Sequence, residues 1–207
     1  MWSWLAIGLC ALMSVISTKQ SHLLQAQVFK SFTFVLLAIL VSTQVITPVG
    51  SQWLCVGLII SMVTDWSLVS AKRLPLSFLG FVLAQVAYSL MFWSQMTQEV
   101  AWWPLAVLLA AGVVGFLLLL PKIDRLVFPV VIMGIVLIHL AWIAGEWWLQ
   151  LPTFGNTLAI IAVLLLLFSS MAYLLNRHHK SVPSRYLWVM GGYLLAQILL
   201  TASLIYR

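Results

Sequence analysis

Charge is what this sequence has least of. In 207 residues there are four Asp/Glu and ten Lys/Arg, so 7% of the chain is charged. A soluble domain carries about a quarter charged residues, because its whole surface must meet water. That scarcity excludes an ordinary soluble enzyme and leaves lipid as the solvent. Cysteine is scarce too: Cys10 and Cys55 both fall in apolar stretches, without metal-ligand spacing. This argues against a disulfide framework or a zinc site and for small core residues. The sequence also lacks a phosphate loop, a dinucleotide fingerprint and a G-x-S-x-G elbow. No Lys/Arg-rich run interleaved with aromatics offers a nucleic-acid surface. The first eighteen residues have no basic start and no small-residue cleavage site, so they read as a helix rather than a signal peptide.

What is present is hydrophobic length. Of all residues 64% are hydrophobic, and the mean hydropathy is +1.12. A bilayer core about 30 Å thick is crossed by ~20 apolar residues in a helix. The sequence predicts eight such spans, at 2–18, 29–47, 52–70, 75–95, 102–121, 126–146, 156–176 and 186–206. The fold class expected is an all-α bundle of about eight transmembrane helices, forming one domain over residues 1–207 with both termini on the non-cytoplasmic side. Turn signals mark the breaks, among them Thr47-Pro48-Val49-Gly50, Lys72-Arg73-Leu74-Pro75 and Pro121-Lys122-Ile123-Asp124-Arg125. Continuous apolar runs of this length, without alternation, fit helices and not the strands of a barrel.

The net charge of +6 follows from topology. Lys19, Lys30, Lys72, Arg73, Lys122, Arg125, Arg177, Lys180 and Arg185 all fall in or beside the odd-numbered connections, and only Arg207 lies opposite. The even-numbered connections carry Glu99 and Glu146. The excess of basic residues on cytoplasmic loops places the odd connections inside the cell. Trp2, Trp4, Trp53, Trp102, Trp103, Trp147 and Trp148 gather at the other helix ends, as an interfacial aromatic belt does.

A polar group inside a span is costly, which makes each one a candidate site. Asp65 reads as the only acidic residue well inside a span, roughly 10 Å below the cytoplasmic end at 1.5 Å per residue. Ser61 and Thr64 share or adjoin its face. Lys30 and Thr33 open the second helix; Gln85 and Tyr88 form an i, i+3 pair in the fourth. Ser169, Ser170 and Tyr173 lie in the seventh, and Tyr193 and Gln197 form an i, i+4 pair in the eighth. Residues three or four apart share a helix face. Five helices therefore present polar stripes at overlapping depths in the cytoplasmic half. The plainer reading of each Ser, Thr, Tyr and Gln is interhelical hydrogen bonding; a carboxylate exceeds what such packing needs. His139 reads as a packed, hydrogen-bonded histidine. Lys30, Lys72, Arg73 and Arg177 read either as topology signals or as a rim that could hold a lipid phosphate. Nothing in the sequence asks for a metal or other cofactor, and oligomeric state is illegible because lipid-facing and partner-facing apolar surfaces look alike.

The motifs Val28-Phe29-Lys30-x-x-Thr33, Ser61-x-x-Thr64-Asp65, Gln85-x-x-Tyr88, Ser94-Gln95-Met96-Thr97, Ala144-Gly145-Glu146-x-Trp148 and Tyr193-Leu194-Leu195-Ala196-Gln197 resemble those of the YhhN family of bacterial membrane proteins, whose animal relatives are lysoplasmalogenases. The resemblance covers nearly the whole chain and includes an eight-helix architecture. It departs where the family commonly has Gly-Asp for Thr64-Asp65, His for Gln85, and Ser-Asp for Ser169-Ser170. The resemblance implies hydrolysis of the vinyl ether bond of lysoplasmalogens in a bacterial inner membrane. Asp65 would then be general acid and electrostatic stabiliser. Lys30, Thr33, Gln85, Tyr88, Ser169, Ser170, Tyr193 and Gln197 would contact a lysophospholipid substrate among membrane lipids. Two other readings stand beside it: a lysolipid-binding or lipid-moving relative without catalysis, and a proton-coupled small-solute transporter.

Overall fold

The computed structural model describes residues 2–20, 22–45, 48–68, 74–119, 127–178 and 183–206. These form eight helices and no strand: α1 (Trp2–Lys19), α2 (Leu23–Gln44), α3 (Pro48–Leu68), α4 (Leu74–Trp93), α5 (Trp103–Leu119), α6 (Val127–Gln150), α7 (Phe154–His178) and α8 (Pro183–Ile205). Seven are long and apolar enough to cross a membrane. The eighth, α5, is an apolar helix with 17 described residues. The chain is an integral membrane protein, and its surface shows why. Phe32, Ile39, Ile59, Val63, Phe128 and Phe168 are each more than half exposed, while Thr33, Gln85, Gln197 and Thr201 are essentially sealed inside. Lipid tails solvate the first set without cost, whereas polar groups must find partners within the bundle.

Sequential neighbours pack most closely: α1 on α2, α3 on α4, α7 on α8. α2 and α3 also pack together, and α8 closes the ring by touching α1, α2 and α3. Phe34 and Leu37 of α2, Leu54 and Leu58 of α3, Tyr88 and Phe92 of α4, Ile143 and Trp147 of α6, and Leu200 of α8 fill the core. Small residues let backbones approach, notably Ala159 and Ala162 of α7 and Ala196 of α8, all fully buried. Trp4 of α1 stacks on Tyr206, just past α8, with centroids 6.1 Å apart. Both chain ends therefore lie at one end of the bundle.

The helix bounds depart from the sequence expectation in two consequential places. α2 begins at Leu23 rather than 29, because Leu23, Leu24, Gln25 and Ala26 are good helix formers. Ala26 also pins the start of α2 to α1, its carbonyl accepting from Ser14 Oγ at 2.9 Å. Lys30 consequently sits about two turns inside the helix and not at its mouth. α6 runs on to Gln150, past the expected end at 146, and carries Glu146 inward. Trp147, expected in the aromatic belt, is 1% exposed and belongs to the core. The residues 69–73, 120–126 and 179–182, and with them Lys72, Arg73, Lys122, Arg125 and Lys180, lie outside the described residues. So do the side chains of Tyr173, Arg177 and Arg185.

A candidate site around a buried ion pair

On α2 the buried positions Gln27, Lys30, Thr33, Phe34 and Leu37 follow helical spacing, so one stripe turns inward toward α3 and α8. On α3, Leu54, Leu58, Ser61 and Asp65 do the same from the other side. Where the stripes meet, Lys30 Nζ lies 2.8 Å from Asp65 Oδ2, with side chains only 4% and 9% exposed. This is the one ion pair among the described residues. Sequence reading left Lys30 either as a topology signal or as part of a basic rim; the earlier start of α2 moves it inside, where it pairs with Asp65. The Gln27 side-chain amide donates to the main-chain carbonyl of Asp65, tying the last turns of α3 to α2.

The remaining surroundings of the ammonium are soft. Met190 Sδ of α8 is 3.6 Å from Nζ, and the Tyr193 ring centroid is 4.8 Å away. Tyr193 is held in turn by an edge contact with Phe34, centroids 6.2 Å apart. One turn deeper, the Tyr88 hydroxyl donates to Gln197 Oε1 at 2.8 Å and accepts from Ser61 Oγ at 2.9 Å. The Tyr193 side chain also approaches Ser61 and Gln197. Helices α3, α4 and α8 thus converge on one hydrogen-bonded knot directly below the ion pair.

Two glycines make that convergence possible. A Cβ on Gly57 would overlap the Tyr88 ring, and one on Gly80 would overlap Thr64 Oγ1. Without them α3 and α4 could not sit close enough for Tyr88 to reach Ser61 and Gln197.

Several buried polar atoms in this region have no partner within the protein: both amide atoms of Gln85, Nε2 of Gln197 and Oγ1 of Thr201. Gln85 lies one turn from Tyr88, and Thr201 one turn from Gln197. Unpaired polar groups sealed from solvent cost about 1–3 kcal/mol each, so water or a polar ligand is their natural complement.

Not every residue singled out from the sequence joins the cluster. The Thr33 hydroxyl donates to Phe29 O at 3.0 Å and Ser169 Oγ to Leu166 O at 3.3 Å, both within their own helices. Ser169 faces Gly192 of α8, and Ser170 is buried beside it. Among the described residues no hydrogen bond connects either serine to Lys30, Asp65 or Tyr88. Gln27, Met190 and Thr201 were missed; Gln27 and Thr201 stand i−3 from Lys30 and i+4 from Gln197, a spacing that could have pointed to them.

Asp65 is also not alone as a buried acid. Glu146 is 3% exposed, at the end of the bundle that holds the chain termini. It belongs to a row, Trp142, Glu146 and Gln150, at i, i+4 and i+8 on α6. Trp142 Nε1 donates to Ala101 O at 3.0 Å, Ala101 N–H donates to Glu146 Oε2 at 3.2 Å, and Gln150 Nε2 donates to Gln98 O at 3.4 Å. The three side chains satisfy the irregular backbone between α4 and α5, which lipid could not do. His139 packs nearby, its Nδ1 3.2 Å from Ser89 Oγ and its ring against Trp93 and Trp142.

The YhhN family model matches residues 25–204. Relatives from Escherichia coli O6:H1, Escherichia coli O157:H7 and Shigella flexneri, each named as the uncharacterized membrane protein YhhN, are 29% identical over 183 residues. The match covers 87% of this chain and 87% of theirs. No solved structure matches.

Proposed function

The chain belongs to the YhhN family, and from that premise we propose that it is a membrane-embedded hydrolase that cleaves the vinyl ether bond of lysoplasmalogens. The observation that carries this reading is the buried Asp65 carboxylate, set among Lys30, Ser61, Tyr88, Tyr193 and Gln197 inside an otherwise apolar bundle. An amphiphile suits such a site: its chain lies along apolar helices while its glycerol and phosphate meet polar side chains.

The reaction begins with protonation of the β-carbon of the enol ether, which leaves an oxocarbenium-like cation on the adjacent carbon. Asp65 supplies that proton, and its carboxylate then faces the cation at close range in a medium of low dielectric. Water adds to the cation and gives up a proton to the site, and the resulting hemiacetal collapses to a fatty aldehyde and a glycerophospho-ethanolamine or -choline. Gln85, Gln197 and Thr201, with their unpartnered polar atoms, orient the water and the glycerol backbone. In this reading the basic connections face the cytoplasm, both termini face the other side, and the membrane is the bacterial inner membrane.

Aldehyde release from an alkenyl lysophospholipid by the purified protein in detergent tests the assignment. Asp65→Asn, folded as judged by gel filtration and thermal melting, is expected to lose at least ~100-fold in rate, as removal of a general acid does. A folded variant as fast as wild type would remove Asp65 from the chemistry. The second reading, a lysolipid-binding relative, is favoured by Gln85 and Ser170 standing where the family commonly has His and Asp. Co-purified lysolipid with no aldehyde produced would select it.

A further inference from the structure

Asp65 enters the proposed reaction with a partner already in place. Lys30 Nζ is 2.8 Å from Oδ2, and both side chains are largely buried. An ammonium has three N–H donors and no acceptor. One donor faces the carboxylate; the ammonium's other neighbours among the described residues are the Met190 thioether and the Tyr193 ring. Sulfur and π electrons steady the charge without competing for its proton. At this separation the pair holds one exchangeable proton, written as ammonium and carboxylate or as amine and carboxylic acid.

Enol ether hydrolysis needs a proton given once and taken back once. Protonation of carbon consumes one, and the water that attacks the cation must shed one. A carboxylate that has just given its proton is needed as the anion opposite the cation, so a separate base suits the second step.

We propose, resting on the hydrolase reading above, that Lys30 is the second member of the catalytic pair: it keeps the shared proton at rest and takes the proton of the attacking water. The vinyl π pair forms the new C–H bond with the proton passed through Asp65 Oδ2, leaving Lys30 as the neutral amine. Water forms the C–O bond to the cationic carbon and loses a proton to Lys30 Nζ, which restores the ammonium. The hemiacetal then breaks its bond to the glycerol oxygen as its hydroxyl proton moves to that oxygen. Water is the one co-reactant, nothing is oxidised or reduced, and the pair ends as it began. The requirement is for lysine and not for positive charge alone, because a guanidinium keeps its protons.

The test uses full-length protein in detergent and an alkenyl lysophosphoethanolamine, with Lys30→Arg and Lys30→Ala beside wild type. The expected result is that both variants lose ~100-fold or more in aldehyde release, and that methylamine restores Lys30→Ala in proportion to its concentration. Methylamine is not expected to restore Asp65→Asn. A folded Lys30→Arg within about threefold of wild type would overturn the proposal, since charge would then suffice. If Lys30→Arg fails to fold, amine rescue of Lys30→Ala decides: rescue supports the role and its absence overturns it. Wild type that releases no aldehyde defeats the hydrolase reading itself, and Lys30's role with it. An active wild type with an active Lys30→Arg defeats only the role of Lys30.

Discussion

At the scale of single residues, the decisive feature is that Asp65 and Lys30 are buried together. Removing one partner of a buried pair leaves an uncompensated charge, at a cost of about 3–5 kcal/mol. Lys30→Met alone is expected to lower stability by that order in a denaturant melt of the detergent-solubilised protein. The double variant Lys30→Met/Asp65→Asn should recover much of the loss, because no charge is then stranded. Equal melts for the single and double variants would show that the two side chains are not coupled. Tyr88→Phe tests the knot below. It strips a partner from Ser61 Oγ and Gln197 Oε1, and should cost about 1–3 kcal/mol while leaving the ion pair intact. Much of this was legible in the sequence: Asp65, Lys30, Tyr88, Tyr193 and Gln197 stand at helical spacing in otherwise apolar spans. Which of them touch was not legible, because periodicity defines a face and says nothing of rotation against a neighbour. Thr33 and Ser169 show the difference, sharing the inward stripes while spending their hydroxyl donors on their own helices.

At the scale of helices, close approach is governed by glycine. Gly57→Ala drives a methyl group into the Tyr88 ring and should destabilise by about 1–3 kcal/mol. It should also reduce activity by displacing Tyr88. Gly8→Ala, where a Cβ meets nothing within 4 Å, is the control and should change little. A melt in which both behave alike would refute a tight α3–α4 contact. The row on α6 makes a separate expectation. Glu146→Ala should loosen the 98–101 backbone, raising amide exchange at Ala101, with little effect on the Asp65 end of the bundle. Unchanged exchange at Ala101 would show that the clamp carries no weight. From sequence, Glu146 reads as part of a connection, because a run such as Glu-Trp-Trp-Leu-Gln marks an interfacial helix end. The helix continues through it because Trp147 finds a place in the core and Glu146 finds a backbone donor.

For the whole molecule, the organising fact is that apolar side chains both cover the outer face and fill the core, while Gln27, Lys30, Asp65, Gln85 and Gln197 are held within. Trp4 against Tyr206 brings the chain ends together, so a reporter at either terminus should report the same side of the membrane. With the basic connections facing the cytoplasm, that side should be the opposite one. A reporter active only outside the cytoplasm, fused after Arg207, is expected to be active; activity only of a cytoplasmic reporter would reverse the orientation.

The sequence alone determined the solvent, the helical class, the number of helices and the residues worth suspecting. Those properties depend on length and composition, which local hydropathy expresses directly. Tertiary structure decided that Lys30 is the counter-ion of Asp65 and not part of a phosphate-binding rim. It also decided that Glu146 is a buried clamp, and that Gln85, Gln197 and Thr201 hold buried polar atoms with no partner in the protein. Each of those outcomes turns on where a helix begins or ends and on which neighbour it meets. Such registers are set by packing between segments far apart in the chain, and no local stretch of sequence encodes them.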